Sequence, residues 1–216
     1  MSDNTSTAST FNQPLYWAKW VLATAGGWLL GSLANVVVIN LVGATGLGQA
    51  LEAGPDQVPQ STALLLAGVS LVLLLIVGFA IGFFQWVVLR KQVPQIRQWA
   101  LFTALGFALG SFAMLTFMGL GVGLAQWLLL RRELNKTGWW PVMNAVAWPL
   151  AYMFGGSLGA YIGQVLNIPF IGGVLGSALI GAIVGAITGA VLLWMLRENR
   201  TLLDDLEKQR AEEAQA

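Results

Sequence analysis

Gln85-Trp86-Val87-Val88-Leu89-Arg90-Lys91 recurs 41 residues later as Gln126-Trp127-Leu128-Leu129-Leu130-Arg131-Arg132. Each copy closes an uncharged stretch and opens a basic loop. An apolar segment that ends twice in the same direction on Trp and Arg reads as the returning arm of a membrane hairpin. Working outward from it, the uncharged stretches are Trp20–Leu51, Gln57–Leu89, Gln98–Leu130 and Thr137–Leu196, of 32, 33, 33 and 60 residues. A spanning helix needs about 20 residues. The last stretch must therefore hold two helices and a turn.

The basic residues set the count. Lys19 precedes the first stretch, and Arg90, Lys91 and Arg97 separate the second from the third. Arg131, Arg132 and Lys136 follow the third, and Arg197, Arg200, Lys208 and Arg210 follow the fourth. The gap between the first two holds Glu52 and Asp56 and no basic residue. Basic loops stay cytoplasmic, so the pattern predicts an all-α integral membrane protein of about six transmembrane helices. These form three tandem, Gly-rich hairpins of the same orientation, with both termini cytoplasmic. The tips fall near Gly43–Ser61, Thr116–Gly119 and Gln164–Gly173. The middle hairpin is short: arms of 15 or 16 residues span about 24 Å, less than a 30 Å hydrocarbon core. A single middle span, giving five in all, is the alternative.

The chain divides accordingly. Residues 1–14 read as a disordered cytoplasmic tail, 15–197 as the membrane domain and 198–216 as a charged cytoplasmic helix or tail. The hairpins cover about 15–91, 97–132 and 139–197. Asp204 and Lys208 are spaced as a helical ion pair.

The entering arms repeat too. Trp20-Val-Leu-Ala-Thr24-Ala-Gly-Gly27-Trp-Leu-Leu-Gly31-Ser32 aligns without gaps on Trp99-Ala-Leu-Phe-Thr103-Ala-Leu-Gly106-Phe-Ala-Leu-Gly110-Ser111. A third copy begins at Trp140, with Asn144 at the Thr position, Trp148 at the Trp28 position and Tyr152 at the Ser position. The third returning arm keeps Trp194 and Arg197 but lacks the Gln. The chain resembles a group of uncharacterised, largely cyanobacterial multi-pass membrane proteins with tandem Gln-Trp-x-x-Leu-Arg hairpins. That resemblance covers Trp17–Arg197. It implies a bacterial inner membrane or a thylakoid membrane, and it brings no activity, substrate or cofactor.

Composition narrows the function. Of 216 residues, 56% are hydrophobic and only 10% charged, against about 25% charged in a soluble domain. There is no Cys and no His, which excludes disulfides, thiolate catalysis, Cys/His zinc sites and imidazole triads. A net charge of +1 gives no reason to expect nucleic acid. The polar residues at depth, among them Asn35, Asn40 and Thr188, are all non-ionisable, whereas ion-coupled carriers usually keep a carboxylate, His or Lys there.

Three sets of residues remain as candidates. Trp86 with Arg90, and Trp127 with Arg131, share a helix face four residues apart and read as interface anchors or lipid-headgroup sites. Gln85, Gln126, Thr24, Thr103 and Asn144 read as a polar network, left open on the side where the third Gln is missing. Gly27/Gly31, Gly106/Gly110 and Gly181/Gly185/Gly189 read as helix-packing stripes on which backbones touch, the last long enough to suggest an oligomer seam.

No catalytic residue, metal site or cofactor is expected; bound lipid or carotenoid is compatible with ten tryptophans. The resulting expectation is a non-catalytic scaffold, assembly factor or accessory subunit. Its partners are membrane lipids, another membrane protein complex or a second copy. A transporter or channel for a neutral small solute is the alternative.

Overall fold

The computed structural model describes residues 12–45, 59–93, 95–111 and 115–213. All regular structure among them is helical. Helix α1 spans Gln13–Gly43 and α2 Gln60–Leu89; the shorter α3 and α4 span Trp99–Ser111 and Leu115–Leu130. Helix α5, Trp139–Ala151, passes through a π-helical turn at Tyr152–Gly156 into α6, Ser157–Val165. Helix α7 runs unbroken from Pro169 to Glu213. Three helices are long and apolar enough to cross a membrane, namely Gln13–Gly43, Gln60–Leu89 and Pro169–Arg200. The chain is therefore compatible with a membrane protein.

Local chemistry sets the ends. Asn12 caps α1, its side chain accepting from the Leu15 amide at 3.0 Å, with Pro14 in the first turn. Inside the fifth rod, Pro149 has no N–H to offer the turn before it, and the π-helical turn follows directly. Helix α6 ends with Asn167 at φ 53°, the Ile168 amide bonding Gly163 O at 2.9 Å and the Asn167 amide bonding Gln164 O at 3.1 Å. This is the left-handed stop that glycine or asparagine provides. Asn167→Gly should leave thermal stability unchanged, while Asn167→Val should cost about 1 kcal/mol or more, since a β-branched residue resists positive φ.

The helices close into a ring. Each contacts the next in sequence, α5 and α6 both lie on α7, and α7 returns to α1. Every neighbouring pair runs antiparallel, and every seam is built on glycine. A Cβ on Gly27 would sit 2.6 Å from Ile81 Cα, one on Gly82 2.7 Å from Ala100 Cα, and one on Gly106 2.7 Å from Gly121 O. Gly119 meets Asn144 O at 2.5 Å, Gly155 meets the Ile180 amide at 2.7 Å, and Gly181 meets Ala25 Cα at 2.7 Å. Backbones this close gain dispersion contact that no side chain could supply, which matters where lipid removes the hydrophobic drive between helices.

Three expectations need correcting. Residues 116–119 are not the tip of the middle hairpin but lie inside α4, Leu115–Leu130. The stripe of Gly181, Gly185 and Gly189 is not free for a second copy, because α1 of the same chain covers it.

Gly189 also differs from the other two in what it meets. Gly181 and Gly185 lie against the α1 backbone, at Ala25 Cα and Val21 Cα. A Cβ on Gly189 would instead stand 2.8 Å from Trp20 Cδ1 and 3.1 Å from Trp17 Cδ1. Gly189 is therefore not a backbone-to-backbone contact but a seat for two indoles, since flat rings occupy the room a side chain would need. The loop with Glu52, Pro55 and Asp56, expected on the outer side, lies outside the described residues, as do residues 1–11.

The middle hairpin remains short. Its helices of 13 and 16 residues rise about 20 and 24 Å, against about 46 Å for the 31-residue α1. All three hairpins are level at the basic end, so α1, α2, α6 and α7 run on past the middle hairpin at the far end. At the basic end α7 fastens both connecting loops. Arg200 donates to Gln92 Oε1 at 2.6 Å, Asn135 Nδ2 donates to Asn199 Oδ1 at 3.1 Å, and Lys136 pairs with Glu198.

Candidate functional site

Three tryptophans, one at the start of each entering arm, meet on the ring's axis. The ring centroids of Trp20, Trp99 and Trp140 are 6.0–6.3 Å apart pairwise, all edge to face. Each is at most 1% exposed. One turn deeper lies a buried polar layer, and one turn beyond that a second aromatic triad. In the second triad Trp28, Phe107 and Trp148 stand 5.3–6.0 Å apart.

The polar layer is bonded in a cycle. Trp99 Nε1 donates to Gln85 Oε1 at 3.1 Å, and Trp140 Nε1 donates to Gln126 Oε1 at 3.0 Å. Trp20 Nε1 donates to Thr188 Oγ1 at 3.1 Å, its ring lying over Gly189. Each indole thus bonds the returning arm of the preceding hairpin, and the last hairpin passes the pattern back to the first. Each glutamine also donates to the threonine of its own entering arm: Gln85 to Thr24 at 3.2 Å and Gln126 to Thr103 at 2.8 Å. Gln126 donates again to Gln85 Oε1 at 3.1 Å. Thr24, Thr103 and Thr188 pass their own hydroxyl protons to the carbonyls of Trp20, Trp99 and Val184. An amide buried in lipid-like surroundings is costly unless bonded, and here each has its partners.

The structure therefore brings Gln85, Gln126, Thr24 and Thr103 together and places Asn144 at the same level. Asn144 turns to its own helix, donating to Trp140 O at 3.0 Å and accepting from Trp148 Nε1 at 3.3 Å. The third side is not open. Thr188 occupies the place of the absent Gln, a residue the repeat comparison missed because it aligned the third arm on Trp194. The signal was present in the glycines: Gly78/Gly82/Gln85, Gly119/Gly123/Gln126 and Gly181/Gly185/Thr188 share one spacing.

At the basic end, the Arg90 guanidinium lies 4.8 Å from the centroid of the Trp86 ring and Arg131 lies 4.9 Å from that of Trp127. Each pair forms a cation–π contact at its helix end. Lys136, 5.8 Å from the Trp194 ring, is the third instance.

The cyclic bonding does not continue beyond the second triad, where Tyr152 donates to Met118 Sδ at 3.8 Å. Trp28 Nε1 is buried without a partner, a loss of about 1–3 kcal/mol for a donor with nothing to bond. Next to it is a cavity of about 410 Å³ between α1, α2 and α7. Among the described residues no group of three or more His, Cys, Asp or Glu is placed to hold a metal ion. No protein family, curated protein or solved structure matches the chain.

Proposed function

We propose that this protein is a non-catalytic integral membrane scaffold or accessory subunit. Its six helices cross the bilayer as three same-orientation hairpins, with both termini in the cytoplasm. One observation carries the reading: the axis of the ring is filled. Two aromatic triads with a saturated polar layer between them leave no aqueous path for a solute, and the groups a transporter would turn toward its substrate are all bonded to one another. The packing of glycine on backbone at every seam supports a body that holds its shape. The Trp–Arg pairs seat that body at the headgroup level.

The test is purification from native membranes in mild detergent, with the same protein reconstituted in vesicles for solute flux. A stoichiometric membrane-protein partner and no flux above empty vesicles is the expected result. Flux of a neutral solute such as glycerol, abolished by Gln126→Leu, would overturn the reading. Topology has its own test in this cysteine-free chain. Single cysteines at Gln57 and Gln164 should react with an impermeant thiol reagent from outside, and those at Gln95 and Lys136 should not. Outside labelling at Lys136 would show that the middle segment crosses once.

A further inference from the structure

The cavity beyond the second aromatic triad has a wall of unusual chemistry for the inside of an apolar bundle. Ser32 and Asn35 of α1 and Ser70 of α2 line it together with Trp28. Among the described residues none of the three makes a hydrogen bond with the chain, and Trp28, 94% buried, keeps its Nε1 unpartnered. Ser177 of α7, on the same cavity, is bonded to its own helix, donating to Gly173 O at 2.9 Å, and Ser111 donates to Phe107 O at 2.7 Å. Three unpaired polar side chains on one cavity, in surroundings where an unpaired group is costly, point to a hydrogen-bonding occupant.

The shape of the fold gives the occupant its route. The middle hairpin contributes only Phe107 to the wall among the described residues, because α3 ends one turn further on. Among the described residues the cavity is partly open, and it lies between the first and third hairpins at the level of the far leaflet in the proposed topology. An almost wholly apolar groove runs between α1 and α2, lined by Val38, Leu64, Gly68 and Val72, and it shares Leu73 with the cavity. A chamber with polar groups on its wall beside an almost wholly apolar trough matches an amphiphile, head in one and tail in the other. No charged residue lines either space. The head is therefore uncharged and carries hydroxyl and carbonyl oxygens that can accept from Asn35 and exchange bonds with the serines.

We infer that this lateral cleft binds one neutral glycerolipid with a hydroxyl-bearing head, drawn from the leaflet opposite the basic end. The inference deepens the scaffold reading by naming a ligand, and the two fail separately. An absent protein partner would end the scaffold reading and leave the lipid count untouched.

The experiment is native mass spectrometry of the full chain in detergent, loaded with monoglucosyl-diacylglycerol or with phosphatidylglycerol of the same acyl chains. One glucosyl lipid per chain should be retained, in preference to the anionic lipid. Ser32→Ala with Asn35→Leu leaves the aromatic triad untouched and removes two partners. It should weaken glucosyl-lipid retention by about fivefold or more, the worth of about one hydrogen bond. Ser70→Leu, at an exposed position, adds apolar bulk on the other side of the chamber and should reduce retention as well. If the double variant does not fold, Ser70→Leu decides. No retained glucosyl lipid, retention unchanged in the folded variants, or equal retention of phosphatidylglycerol would each overturn the inference.

Discussion

Replacing Gln126 by Leu should destabilise the protein by about 2–4 kcal/mol in mixed-micelle unfolding, more than any other polar substitution in the bundle. Gln126 accepts from Trp140 and donates to both Thr103 and Gln85. A leucine of similar volume leaves Trp140 Nε1 with no acceptor, at about 1–3 kcal/mol for a buried orphan donor, and removes two further bonds. Bonds between membrane helices are commonly worth only about 0.6 kcal/mol each, so the orphaned indole dominates. Gln85→Leu orphans Trp99 in the same way. Because the two amides bond each other, the double variant should lose less than the sum of the singles, by about 1 kcal/mol. Strictly additive losses would show that the two do not form a network. Thr188→Val, which orphans Trp20 alone, should fall between these variants and wild type.

Gly119→Ala should be as damaging as the loss of a large core side chain, although it adds one methyl. The added Cβ would stand 2.5 Å from Asn144 O and 2.7 Å from the Trp148 side chain. Neither obstacle is a flexible tip: one is helix backbone, the other the root of an indole locked in the second triad. Overpacking of this kind costs about 1–3 kcal/mol and sometimes more, and here α4 must part from α5 to relieve it. The contrast is Gly68→Ala in α2, where nothing lies within 4 Å. That change should be neutral or stabilising by up to about 1 kcal/mol through helix propensity. Equal melting temperatures for the two variants would show that seam glycines are not contact points.

These two substitutions also mark what the sequence could and could not reveal. The Gln-Trp-x-x-Leu-Arg repeat placed both glutamines at one depth, and the aligned threonines put their partners on the entering arms. Periodicity of this kind is legible because a repeat forces like residues into like surroundings. Thr188 escaped notice since a threonine in a Gly-rich helix has no signature of its own; only its offset from Gly181 and Gly185 betrays it. Gly189 continued that spacing and so read as one more backbone contact, although its neighbours are the rings of Trp20 and Trp17. Trp20, Trp99 and Trp140 read as marks of the repeat, yet they are among the most enclosed of the described side chains. Nothing in the linear pattern distinguishes an indole facing headgroups from one facing an axis, because that depends on which way the ring closes. The cleft was hidden for a similar reason. Ser32, Asn35 and Ser70 are scattered in sequence, and only the brevity of α3 and α4 exposes them on a common wall.

The way the ring closes also bears on how the protein is made. Trp20 bonds Thr188 and Trp17 bonds Ala186 O at 3.0 Å, partners 168 and 169 residues further along the chain. At a synthesis rate of about 5–20 residues per second, Trp20 waits on the order of 10–30 s for the helix that completes its bonding. During that time the indole donors of α1 and its half of the α1–α7 seam face lipid or a chaperone. A ribosome that stops before α7 releases a five-rod chain whose polar layer is complete on two sides and bare on the third. Such a product carries its own mark of incompleteness, an unbonded tryptophan edge at membrane depth that a quality-control protease could read.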